Sequence, residues 1–280
     1  MTDESNEEKE ATGGIIKQTV DSVTALTKAV PIYQDAVQPF AKEVGKALGT
    51  VGKAVNVALA PISLVVWGYD KISDFLENKV AEKLEKVPEE RISTPPPNVV
   101  GPAIEALKFT GHDETLQDLF ANLIANALDS KTVLEAHPAF VDIIKNISSD
   151  EGLILKLFAS AQQFPIVDVK LNLKKKGGFN ILQRNVSEIG ELANCKHPQL
   201  TTNYLDNLCR LGLLGIPSGR RINDPKAYES LTSDPGLEQL KKQFENNEDF
   251  SIGFEQKYIE VTGMGRQFIN ACVIDKRARG

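Results

Sequence analysis

A chain of 280 residues with 41% hydrophobic and 25% charged residues has a globular make-up, which excludes wholesale disorder and a polytopic membrane protein. Its net charge of −6 argues against nucleic acid as the partner of the whole chain, because phosphate binding needs a concentrated positive field. Residues 1–147 carry 14 Lys and Arg against 22 Asp and Glu, so a basic surface is expected in the second half, with 18 against 16.

Residues 1–14, MTDESNEEKEATGG, are acidic and lack large apolar groups, and they are read as a disordered tail. From Ile15 to Val87 the sequence is helix-compatible, with Pro31, Pro39 and Pro61 expected to divide it into several helices. Inside it Gly45, Gly49 and Gly52, at spacings of four and three, share a helix face that allows close approach of a neighbour. An uncharged run of 16 residues, Ala54 to Tyr69, follows and contains Leu64, Trp67 and Tyr69. It falls short of the roughly 20 residues needed to span a bilayer. Two readings stand: a buried helical hairpin, and a segment for membrane-surface contact or assembly.

Ile92 to Pro102, ISTPPPNVVGP, is read as an extended Pro-rich link, since proline lacks the N–H donor and restricts the residue before it. A helical unit follows. In TGHDETLQDLFANLIANALD, Leu116, Leu119, Phe120, Leu123, Ile124 and Ala127 recur at steps of three and four, the stripe of a scaffold helix buried against neighbours. Asp113 stands at its cap and Glu114 in its first turn, where negative charge suits the helix dipole.

At Ser148 the pattern changes. SSDEGLILKLFASA reads as a capped amphipathic helix, Pro165 to Leu173 alternates like a strand, and two short helices follow in NVSEIGELANC and HPQLTTNYLDNLCRLGLLGI. A short strand, Tyr258 to Val261, then meets Thr262, which can cap a last helix. This order resembles a winged helix-turn-helix. The expected fold is therefore mainly α, with a helical domain at 15–147, a winged-helix-like α+β domain at 148–275 and a tail at 276–280. Residues 220–256 are read as a long insertion between the wing strands, functional or partly disordered.

The candidate recognition helix, Thr201 to Leu214, offers Thr201, Thr202, Asn203, Asp206, Asn207 and Arg210. With Lys196, Arg220 and Arg221, Arg210 makes up the candidate nucleic-acid contact, and Asp206 works against it. Protein contact is favoured over DNA for this region, and the run Lys174 to Lys176 is expected to be a solvated loop. Cys195, Cys209 and Cys272 lack metal-site spacing and are expected to be reduced thiols. His112, His137 and His197 sit at helix starts, without the companions of a general base. No catalytic, phosphate-loop or dinucleotide motif is present. The expectation is a non-enzyme with no cofactor and no evident small-molecule substrate, acting through protein contact or self-association. The N-terminus carries no secretory signal pattern, so a cytoplasmic protein is expected, peripheral at the inner membrane if the Gly45–Tyr69 region engages lipid.

The run from GYDKISDFLENKVAEKLEKVPEERISTPPPNVVGPAIEAL through DETLQDLFANLIANALD to AHPAFVDIIKNISSDEG resembles the abortive infection alpha family of bacterial phage-resistance proteins, over about residues 62–155. LDNLCRLGLL and VTGMGRQFINACV are similar to the tail that often accompanies that domain. The resemblance implies a bacterial or prophage origin and a role in halting growth of an infected cell. It brings no catalytic residues with it.

Overall fold

The computed structural model describes residues 69–111 and 113–279. The acidic tail, Gly45, Gly49, Gly52, Leu64, Trp67 and His112 lie outside the described residues, and Tyr69 is the first residue of the first described helix.

Helix α1 (Tyr69–Asp74) widens into a π-helical stretch, Phe75–Val80, and ends in α2 (Ala81–Lys83). Helix α3 starts at Pro97 and runs to Thr110, so only the first residues of the Pro-rich link expected at 92–102 are a non-helical connection. The reason is positional. Proline at a first-turn position needs no donor and already has a helical φ, while Gly101 has no Cβ to clash with the ring of Pro102.

Helix α4 (Glu114–Leu128) is the scaffold helix foreseen in the sequence. The Asp113 side chain accepts from the Leu116 N–H, and every residue from Leu119 to Leu128 is buried. A helix covered on all sides must be central. It packs against α3, α5 (Ala139–Lys145), α6 (Ser149–Ser160) and the last turns of the chain. Helix α6 begins with the reciprocal hydrogen bonds of a capping box between Ser148 and Glu151.

Next comes a four-stranded antiparallel sheet of order β2-β1-β4-β3. Strand β1 (Gln163–Leu173) pairs along its whole length with β4 (Phe250–Val261), from Gln163 opposite Glu260 to Leu173 opposite Phe250. Strand β2 (Phe179–Val186) forms the long edge and β3 (Leu214–Gly215) the short one. Between β2 and β3 lie α7 (Ile189–Leu192) and α8 (Thr201–Arg210), and α8 stops before Gly212, whose φ of 74° breaks the helix.

The insertion expected as a loop at 220–256 is ordered structure. It holds a 3-10 turn (Pro225–Tyr228), α9 (Glu229–Thr232), α10 (Pro235–Phe244) and the first half of β4. The cause is the alternation of β1. Ile166 faces the main core, so Val167 needs cover on the opposite face, and Tyr228 and Leu231 supply it in a second small core. The main core runs from Ile72 to Val273. Helix α11 (Gly263–Phe268), capped by Thr262, passes into a π-helical turn, Ile269–Val273, buried beside α4. The segment expected as a C-terminal tail instead makes a 3-10 turn, Lys276–Arg279, with Lys276 buried.

Candidate functional site

Asp129 is the first residue past α4, and its side chain is fully buried. A carboxylate at a helix C-terminus faces the negative end of the dipole, so it must be compensated by cations. The chain brings them from both directions. Ile92 forms a single antiparallel bridge with Asp129, Ser93 N–H donates to the Leu128 carbonyl, and Ser130 N–H donates to the Arg91 carbonyl. This fixes Arg91 where its Nε and Nη2 donate to the two carboxylate oxygens at 3.0 and 2.5 Å. From the far end of the chain, Lys276 Nζ lies 2.9 Å from Oδ2. Burial by itself would raise the Asp129 pKa, but the bonds from Arg91, Lys276 and the Lys131 N–H outweigh it and hold the carboxyl below its ordinary range.

Lys276 is also held by Asn126 Oδ1 at 3.0 Å and Thr132 Oγ1 at 2.7 Å. Asn126 in turn donates to the Ala271 carbonyl at 2.9 Å, and Asn122, one turn earlier, donates to the Cys272 carbonyl at 2.9 Å. These carbonyls belong to the end of the π-helical turn Ile269–Val273, where no intrahelical donor is left for them. Asn122 and Asn126 thus act as built-in caps for another helix. Two amides four apart within the otherwise apolar stretch Leu119 to Leu128 were the available sequence signal.

In front of this network opens a recess of about 220 Å³. Lys83, Lys86, Arg91, Lys131 and Lys276 line it, and Asp129 and Glu135 are the carboxylates among its lining residues. Asp275 anchors one wall: it pairs with Lys83 at 2.6 Å and with Arg277 at 2.8 Å, and Arg277 also pairs with Glu82. The hydrogen bond from Arg277, followed by that from Lys83, sets the Asp275 carboxyl far below the usual carboxylate range. Lys86 Nζ donates to the Arg277 carbonyl at 3.1 Å. Beside the recess, in the 3-10 turn Val133–Glu135, Leu134 is 96% exposed.

The residues singled out for nucleic acid are held separately. Arg210 donates to Asn207 Oδ1 at 3.0 and 2.7 Å, while Arg221 reaches Gln256 Oε1 at 3.4 Å and Arg220 is exposed. Lys196 contributes its backbone N–H, 2.8 Å from Asp150. On the same helix Asp206 accepts from Asn185, and Asn207 donates to Glu151 Oε1 at 2.6 Å.

Asp150 is a second buried carboxylate, accepting from His197 N–H and the Tyr204 hydroxyl, each at 2.9 Å, as well as from Lys196. Burial pulls its pKa up, but these three donors pull harder and leave it below the ordinary value. A carboxyl depressed in the folded state contributes stability above its unfolded pKa of about 3.9 and loses it as pH falls through the folded value. Asp150→Asn is therefore expected to flatten the loss of thermal stability as pH falls below about 4, measured as Tm against pH. The nearby Cys195 thiol is pushed up to about 11 by burial and by Asp150, which makes it a poor nucleophile. Tyr204 is pushed up to about 12, first by burial and then by the same carboxylate. Among the described residues no group of His, Cys, Asp and Glu could hold a metal ion, and no helix is long and apolar enough to cross a membrane.

Residues 68–272 match the family described as abortive infection alpha. The chain belongs to the abortive infection alpha family. The matched span includes Arg91, Asn122, Asn126 and Asp129 and stops four residues before Lys276. No curated protein matches. One solved structure, of an uncharacterized protein from the hydrocarbon-degrading marine bacterium Alcanivorax borkumensis SK2, is similar at 15% identity and a TM-score of 0.33, covering 50% of this chain and 92% of that one. A likeness that distant carries no structural argument.

Proposed function

We propose that this member of the abortive infection alpha family is a non-enzymatic phage-defence protein that works by binding, with its helical part as effector or assembly surface. The match to the family over residues 68–272 carries the reading. Membership supports a role in abortive infection, and the sequence leading into the first described helix offers a candidate means. The Gly45, Gly49, Gly52 face and the uncharged run with Leu64, Trp67 and Tyr69 suit close helix contact or a membrane surface.

The test expresses the chain with and without residues 45–69 in growing bacteria, challenges both with phage, and follows viability and membrane fractionation together. The full chain is expected to lower plaque counts and infected-cell survival, and the deletion to lose both effects and any membrane recovery. Protection by neither form sinks the defence role. Toxicity that persists without the segment moves the effector to the C-terminal half.

A second reading, a winged-helix DNA-binding regulator, draws on the order α6, β1, α7, α8, β3, β4. Its candidate contacts are Lys196, Arg210, Arg220 and Arg221. Asp206 and the tie of Arg210 to Asn207 weigh against it, since a recognition helix needs free cations toward phosphate.

A further inference from the structure

We propose that the recess in front of Asp129 binds a phosphomonoester dianion. The inference is independent of the role in defence and stands on charge, geometry and size.

Charge comes first. Five cations and two carboxylates line a small recess on a chain whose net charge is −6. Some of that positive charge is matched from behind, because Lys276 and Arg91 share Asp129 and Lys83 pairs with Asp275. Lys86 holds a neutral carbonyl, and Lys131, also lining the recess, is exposed. Glu135 also lines the recess, so the field is positive without being uniformly so.

Geometry adds a donor. Arg91 has five N–H groups, and its bonds to Asp129 use Nε and Nη2 only. Its side chain is 32% exposed and lines the recess, and its Nη1 takes no part in holding Asp129. The buried carboxylate holds the guanidinium plane rigid, which reduces the ordering an incoming anion must impose. Lys86 and Lys131 are flexible point charges that can turn toward an anion in the recess.

Size limits the ligand. At about 220 Å³ the recess lies below the roughly 300–1,000 Å³ of ordinary small-molecule sites. It suits a phosphate group with a short polar attachment. Such a group could belong to a soluble metabolite or to a phospholipid headgroup, and the neighbouring Leu134, 96% exposed, is an apolar side chain able to enter a headgroup layer.

The test titrates glycerol 3-phosphate into the full chain and into Lys86→Glu/Lys131→Glu by calorimetry. Both side chains are exposed and only the Lys86 bond to the Arg277 carbonyl is lost, so the double variant is expected to fold with a ligand-free Tm slightly below the parent. Saturable binding that weakens at least about tenfold in the double variant, and weakens further as salt rises, is the expected result. No saturable binding, or equal binding by both proteins, overturns the proposal. A second arm uses phosphatidylcholine vesicles with and without phosphatidic acid. Retention on the phosphatidic acid vesicles that falls in the double variant and in Leu134→Ser supports the site with lipid as the source, while calorimetric binding without retention supports it with a soluble phosphomonoester.

Discussion

Asp129→Ala is expected to lower stability by about 3–5 kcal/mol, a fall in Tm on the order of 10 °C for a folded region of this size. Removing the carboxylate leaves two largely buried cations without their shared counter-ion. Lys276 is 7% exposed where it lines the recess, so it can recover only part of its hydration and keeps Asn126 and Thr132 as its acceptors. Arg91, at 32% side-chain exposure, can recover part of its hydration, which places the outcome toward the lower end of that range. Asp129→Leu combined with Arg91→Met and Lys276→Met should recover much of the loss, because an apolar set of similar volume avoids the cost of burying charges. Chemical denaturation of the single and triple variants decides between a costly orphaned charge and a net-favourable network. If the triple variant is no better than the single one, the network contributes more than it costs.

Asn126→Leu is expected to cost about 3 kcal/mol, because it leaves the buried Ala271 carbonyl without its side-chain donor and deprives Lys276 of an acceptor. Each buried group left unpaired costs roughly 1–3 kcal/mol. Asn122→Leu should cost less. It breaks one bond, to the Cys272 carbonyl, while removing an Oδ1 that is buried without a partner among the described residues. Denaturant titration gives the ranking, and faster amide hydrogen exchange in residues 269–274 of Asn126→Leu would place the damage at the final π turn. An equal cost for the two substitutions would mean that the amides serve the packing of α4 rather than the capping of that turn.

Local signals were legible wherever a few neighbouring residues decide the outcome. Asp113 at the start of α4, the Ser148–Glu151 box and the Thr262 cap all act within four residues, and the apolar stripe of α4 records its own burial. Strand β2 escaped because Phe179 to Gln183 is largely exposed and shows no alternation, so its pairing is set by β1 and by two bulges instead. The ordered insertion escaped because Tyr228 and Leu231 have meaning only once Val167 presents an uncovered face. Charge counting pointed to the second half of the chain for a basic surface. The structure gathers Lys83, Lys86, Arg91 and Lys131 from the acidic half and adds Lys276, and convergence of that kind leaves no trace in a linear sum.

The two asparagines of α4 also set an order of events at the ribosome. Their partners Ala271 and Cys272, and the Lys276 that completes the Asp129 network, emerge about 150 residues later. At roughly 5–20 residues per second this is a delay of roughly 8–30 s in which the buried amides of the central helix lack their distant partners and Asn126 has only the Asn122 carbonyl within its own helix. The scaffold of the helical half therefore closes only when the final residues arrive. Losing Lys276 to Gly280 would remove the closing piece of a helix that ends far earlier in the chain.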